Sequence, residues 1–230
     1  MKNIKKILLT ITIILFILLI IFISFKIYQY NTVKKITKTI IDKRDSLDFF
    51  FEISEENSTS KNYVKNNKIK HEYLDKNGNI IHIQYIDTET QMVYTLYTIN
   101  KAYEVTSGHH YSQSFINMPN TFTIIKNTLE STLLDKIKLA LSIKSMTNEK
   151  LNNTETLKID FNYPINSSEY LTETVWYDIN TLYPIKVISN LHPQNATYKI
   201  TSCPLSEEEL VFTNKECYKE IIKSENDSNN

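Results

Sequence analysis

The feature that most constrains this chain is the run Ile7–Phe25, which is 19 consecutive residues without a charge. As a helix rising about 1.5 Å per residue, it reaches roughly 28 Å, close to the hydrocarbon thickness of a bilayer. Lys2, Lys5 and Lys6 precede it. A cleavable secretory signal would have a shorter apolar core and a small-residue cleavage site. Here the first Ala is Ala102, and no Cys stands near the end of the run to carry a lipid. The run reads as an uncleaved signal anchor. The positive-inside rule puts Lys2, Lys5 and Lys6 in the cytoplasm, although Lys26, Lys34, Lys35 and Lys38 on the other side oppose that orientation. The expected organisation is a single-pass protein of the cell membrane. Residues 1–6 are cytoplasmic, 7–25 cross the bilayer, 31–220 form one extracytoplasmic domain, and 221–230 form a polar, disordered tail.

The rest of the composition narrows the function. Twenty-six Lys and Arg balance 26 Asp and Glu. With no basic excess, nucleic acid is not an expected partner. Only two Gly are present, which rules out a Gly-rich phosphate cradle. Fifteen Tyr, ten Phe and abundant Ile suit a β-rich chain.

Periodicity supplies the elements. Val33, Ile36, Ile40 and Leu47 recur on one face of a helix over Asn31–Leu47. Phe49–Ile53 reads as a first strand. From Tyr63 the period becomes two, with Ile69, His71 and Tyr73 on one face and Lys68, Lys70 and Glu72 on the other. Asn77-Gly78 is a strong hairpin signal, and Ile81, Ile83 and Tyr85 share a face of the next strand. Asp87–Thr90 is a turn, followed by strands over Val93–Asn100 and Ala102–Thr106. Pro119-Asn-Thr121 opens a helix, in which Phe122, Ile125, Leu129, Leu133, Ile137, Ala140 and Leu141 form one apolar stripe. Met146–Thr156 reads as polar loop. Leu157, Ile159, Phe161 and Tyr163 alternate with polar residues in a half-buried strand. Val175–Asp178 and Tyr183–Val187 are two strands around the turn Asp178–Thr181, with Pro184 near the start of the second, where a missing N–H costs least. Alternation puts Trp176 with Thr174 and Asp178, opposite Val175 and Tyr177. Tyr198–Ser202 is a last strand. The fold class is mainly β with helices (α+β), an antiparallel sheet of about 8–11 strands curling over helices.

Residues arranged for chemistry are few. His71 and His82 flank the Asn77-Gly78 turn and face each other if the strands pair, as a pH-sensitive couple or as ordinary sheet residues. His109-His110 is the one His cluster; adjacent side chains diverge, so it reads as loop and not as a metal site. No nucleophile elbow, zinc-protease helix or dinucleotide fingerprint occurs, so no catalytic residue, cofactor or metal is expected. Glu207–Glu209 reads as a helix first turn. Cys203 and Cys217 are a candidate disulfide in an oxidising compartment, the alternative being two unpaired thiols.

Three stretches carry a family resemblance. They are Tyr63–Tyr73, Ile83–Asp87 through Val93-Tyr94, and Val175-Trp-Tyr-Asp178 through Tyr183–Val187. Together they resemble the outer-membrane lipoprotein carrier (LolA-like) superfamily, nearer its membrane-anchored and germination-lipoprotein-like branches than its soluble carriers. The resemblance implies a strongly curved half-barrel over helices, with an apolar cavity that holds acyl chains or a sheet that docks a protein. On that reading Phe122, Ile125, Leu129, Leu133, Ile137 and Leu141 line a lipid cavity; plain core packing is the alternative. An anchored chain cannot shuttle between membranes, so carrier activity is not expected. The function expected is a non-enzymatic binding module for a lipid-like or acyl ligand, or for an envelope protein. The alternatives are a tethered hydrolase with a His-based site and a structural envelope scaffold.

Overall fold

A computed structural model describes residues 2–44, 48–107, 118–191 and 194–221. The chain begins with helix α1 (Lys2–Arg44), which is continuous through both the apolar run and the amphipathic segment behind it. Residues Ile7 to Phe25 expose their side chains, whereas Gln29, Val33, Ile36, Thr37 and Ile40 are buried. The first part has only the apolar character to cross a bilayer; the second packs into the domain. One helix is thus both the membrane-length segment and a core element.

The described residues form one open sheet of twelve strands, ordered β12-β6-β5-β4-β3-β2-β1-β11-β10-β9-β8-β7. Strands β1 (Asp48–Ser54), β2 (Ser58–Lys65), β3 (Lys68–Asp75), β4 (Ile80–Asp87), β5 (Met92–Tyr97) and β6 (Ala102–Ser107) meander outward from the middle. Helices α2 (Asn120–Thr128) and α3 (Leu133–Ser142) follow. Strands β7 (Ile143–Leu151), β8 (Thr154–Pro164), β9 (Tyr170–Asp178), β10 (Pro184–Ser189) and β11 (Asn195–Thr201) return from the opposite edge, and β11 closes on β1. Pairing is antiparallel except at β12 (Lys219–Glu220), which runs parallel to β6.

Short turns set this register; three of them place Gly or Asn in the left-handed region, and Gln91, Lys101 and Leu182 take it up in three others. Gly78 has φ 82°, and Asn66, Asn152 and Asn153 have φ 51°, 49° and 66°. Two of these hairpins run through segments expected to be a single strand or a loop. Asn66-Asn67 splits Tyr63–Tyr73 between β2 and β3, and Asn152-Asn153 joins β7 to β8 inside the expected loop Met146–Thr156. Strand β7 is an edge strand exposed along most of its length, so it lacks the alternation that marks a half-buried strand. The corner at Asp178 is as expected: its Oδ1 accepts the N–H groups of Asn180 and Thr181 at 2.7 and 2.9 Å.

The helices cover one face of half the sheet. Val33, Ile36 and Ile40 of α1, Phe122 and Ile125 of α2, and Leu139 of α3 pack on Phe51, Ile53, Ile159, Phe161, Val175, Tyr177, Val187, Ala196 and Tyr198. Glu173, on the same face of β9 and only 1 % exposed, ties α2 to the sheet. Its carboxylate accepts the backbone N–H groups of Asn120 and Thr121 at 3.0 and 2.8 Å, the Asn120 side-chain amide at 3.0 Å and the Thr121 hydroxyl at 2.6 Å. Pro119 at the cap position has no side-chain acceptor to offer, so the opposing strand supplies one.

Candidate functional site

The expected stripe Phe122–Leu141 divides. Thr128–Thr132 breaks it into α2 and α3: the Ser131 N–H bonds to the Thr128 carbonyl, and Thr132 caps α3 by accepting from the Asp135 N–H. Phe122 and Ile125 are fully buried in the closed core, and Leu129 packs against it. Leu133, Ile137 and Leu141 face out, with 72, 46 and 51 % of their surface exposed. The six residues therefore do not line one common wall. The break has a local cause, because a helix N-cap inside the sequence Ser131-Thr-Leu-Leu-Asp135 competes with continuation.

The cysteines are also placed apart, and both thiols are free, which corrects the expected disulfide. The Cys203 N–H bonds to Asp48 at the start of β1, whereas Cys217 lies two residues before β12, which pairs with β6. Five strand spacings of about 4.8 Å separate β1 from β6 along the sheet, far beyond the roughly 7 Å limit for bridging two Cα atoms.

The segment between them is a strap across the side of the sheet away from the helices. Lys65 Nζ donates to the Leu205 carbonyl at 3.4 Å, Asn66 to Glu207 at 2.9 Å, and Leu210 is buried. The Phe212 ring then enters an aromatic group. It lies 5.8 Å from Tyr85, 5.8 Å from Tyr94, 5.3 Å from Tyr103 and 5.8 Å from Tyr218. Tyr85, Tyr94 and Tyr103 come from alternating positions of β4, β5 and β6, so the period-two pattern builds the platform and the strap covers it.

Beside Phe212 a cleft of about 350 Å³ stays open, lined by Lys68, Tyr85, Asp87, Met92, Tyr94 and Lys215 among others. Lys68 and Asp87 form an ion pair at 2.5 Å. Burial alone would raise the Asp87 carboxyl, but the Lys68 ammonium and the Thr90 and Glu89 amides outweigh it and hold the group at about 2. The Lys215 ammonium lies 4.7 Å from the centre of the Tyr94 ring. The cleft thus joins apolar ring faces to two cations and an anion, a mixture that suits peptide side chains and carboxylates. Sequence reading missed this site. Its one sequence signal was the same-face pair Ile83 and Tyr85; nothing local marked Phe212 as its lid.

A second group lies on the helix-side face of β2–β4. His71 and His82 do meet across the hairpin, with ring centres 6.1 Å apart and edge-to-face, and Tyr73 stacks on His82 at 5.2 Å. His71 Nε2 lies 2.9 Å from Ser60 Oγ, while its Nδ1 is buried without a hydrogen-bond partner. Burial lowers both imidazoles below their ordinary value. Among the described residues, no three His, Cys, Asp or Glu side chains gather to hold a metal ion. His109 and His110 lie outside the described residues, as does His192.

Trp176 sits on the side away from the helices, as alternation requires. Its Nε1 donates to Glu149 at 2.5 Å, and Lys158 and Lys186 lie 5.5 and 5.4 Å from the ring. These contacts use up the indole, so it is a sheet-bracing residue and not a recognition surface.

No family model matches the chain, and no curated protein does. Among solved structures it is similar to an uncharacterized conserved protein from Thermus thermophilus, at 8 % identity and a TM-score of 0.47, over 83 % of this chain and 98 % of that one.

Proposed function

We propose that this chain is a single-pass, membrane-anchored, extracytoplasmic binding module without chemistry of its own, and that it docks an envelope protein through the cleft beneath its C-terminal strap. The observation that carries the reading is the cleft at Tyr85, Tyr94 and Phe212 with its charged rim. The LolA-like resemblance supports it, with the sheet curving into a half-barrel and serving as a docking surface. An enclosed acyl chain has less support, because Phe122 and Ile125 are taken up by core packing. The scaffold reading would use the sheet edges, but Lys144, Glu149 and Lys150 along exposed β7 discourage edge pairing.

The test is photo-crosslinking in intact cells from a benzophenone residue at Lys215. One dominant protein adduct is expected, absent from a matching probe at exposed Ile99 and lost on Phe212→Ala. Equal labelling from both positions overturns protein docking. Native mass spectrometry of the full chain in detergent separates the ligand classes, since a stoichiometric acyl lipid would favour lipid binding. Orientation is read from exposed Cys217, which an impermeant maleimide should label on intact cells.

A second reading rests on the Ser60–His71 contact, which has the reach of a nucleophile–base pair with a neutral imidazole. It predicts fluorophosphonate labelling that Ser60→Ala abolishes. The ladder already uses the strand N–H groups that an oxyanion hole would require, so the binding reading is preferred.

A further inference from the structure

Helix α3 has two apolar sides. Leu139 faces the core, and Leu133, Leu134, Ile137 and Leu141 project from the opposite side, all exposed. At 100° per residue those four fall within one stripe centred nearly opposite Leu139. An exposed apolar stripe on a helix whose other face is already packed calls for an occupant.

The position of α3 relative to α1 identifies that occupant. Lys26 is the first charge after the uncharged run Ile7–Phe25. Its ammonium donates to the backbone carbonyl of Ile143, the residue that follows α3, and to Gln29 Oε1 at 3.1 Å. The C-terminal turn of α3 is therefore pinned where the membrane-length part of α1 ends. Leu141, two residues before Ile143, sits at that level. The exposed apolar side chains at the end of the run in α1 and in the last turn of α3 thus stand on either side of this tie. Lys26 and Lys144 stand together at the junction, Lys138 lies one turn back on α3 with its ammonium 4.8 Å from the Tyr163 ring, and Lys138 and Lys144 are exposed. Cations beside an apolar stripe match the anionic headgroups and acyl boundary of a lipid surface.

We infer that the outer side of α3 lies in the lipid interface of the membrane that α1 crosses, with Leu141 and Ile137 among the acyl chains near the headgroups. This rests on the anchor reading above and deepens it. The stripe expected to hold an enclosed acyl chain instead meets bilayer lipid along its second half. The domain is then held to the membrane at two places and cannot swing freely about α1. That fixes which side of the sheet a partner can reach.

The test uses the full chain, with Cys203→Ser and Cys217→Ser, in vesicles of phosphatidylcholine with a minority of phosphatidylglycerol. Single cysteines replace Leu141, Ile137, Phe16 and Ile99 in separate variants, each carrying an environment-sensitive fluorophore. Leu141 and Ile137 are exposed, so the label displaces no core contact. Lipids bearing a nitroxide near the headgroup should quench the Leu141 and Ile137 labels severalfold more than the Ile99 label, while aqueous iodide should do the reverse. A deep acyl nitroxide should quench the Phe16 label. If Phe16 is quenched and Leu141 and Ile137 behave like Ile99, the anchor stands and the inference about α3 is overturned. If Phe16 itself escapes lipid quenching, the anchor reading fails and the inference falls with it.

Discussion

At the scale of single residues, buried Glu173 and half-buried His71 take on work that their neighbours cannot do. Glu173 satisfies the open end of α2, where Pro119 offers no side-chain cap. Removing the carboxylate takes the acceptor from two helix N–H groups and from the buried Thr121 hydroxyl, each loss costing about 1 kcal/mol or more. Glu173→Ala is therefore expected to destabilise the domain by about 3 kcal/mol, seen as a lower urea midpoint. Glu173→Gln should recover only part of this, because its NH₂ group must face donors. His71 works in the opposite sense. Its folded-state pKa lies below the ordinary 6.5 because burial, aided by the nearby His82, outweighs the opposing pull of the Gln84 side chain and of Glu72, so the unfolded chain binds a proton that the folded chain resists. The stability due to neutral His71 is complete above the unfolded value and is lost as pH falls below it towards the folded value. The urea midpoint should therefore drop as pH falls through about 6.5, and His71→Gln should flatten that drop. An unchanged slope in His71→Gln would assign the pH response elsewhere, with His82 the next group to test. The meeting of these two imidazoles was legible in the sequence, because the Asn77-Gly78 turn dictates the pairing. The Glu173 tie was not, because it joins residues more than fifty positions apart and no local pattern carries that distance.

At the scale of elements, legibility followed burial. Strands with one face in the core announced themselves by alternation, as Leu157, Ile159, Phe161 and Tyr163 do in β8. Strand β7 did not, because an edge strand in water has no need of a second periodicity. The expected long middle helix is two helices for the converse reason: both halves are apolar at helical spacing, and only the Thr132–Asp135 cap shows that the chain starts afresh. The strap from Cys203 to Glu220 was the least legible element. It holds its place through Leu210, Phe212 and the pairing of β12 with β6, contacts that reach residues over a hundred positions earlier. Phe212→Ala should cost about 3 kcal/mol within this unit, opening a void among four tyrosines. Hydrogen exchange should then quicken at β12 and β6 while β8 and β9 keep their protection. Since neither thiol is bonded, reductant should leave the thermal midpoint unchanged, and Cys203→Ser with Cys217→Ser should do the same. A fall of several degrees on reduction would mean that the strap is closed covalently after all.

At the scale of the whole molecule, the decisive fact is that α1 does not stop where the hydropathy does. The sequence suggested an anchor ending at Phe25 and a domain beginning at Asn31, since charge and polarity enter at Lys26. The backbone has no such boundary, and three of the intervening residues belong to the domain. Gln29 is completely buried, Tyr30 packs against the main core, and Lys26 bonds to the Ile143 carbonyl. This makes a sharp prediction about where the chain can be cut. A version beginning at Ile23 keeps all three residues and should retain the stability of the full chain. A version beginning at Asn31 removes them, exposing the apolar surface under Tyr30 and leaving the end of α3 without its tie. The cost should be about 2–4 kcal/mol, from roughly one aromatic side chain of lost burial and the lost hydrogen bonds. Urea unfolding followed by Trp176 fluorescence compares the two directly. Equal midpoints would mean that α1 is only a tether before Asn31. Unequal midpoints would mean that the last residues before Asn31 are part of the fold, joined without a break to the membrane-length run.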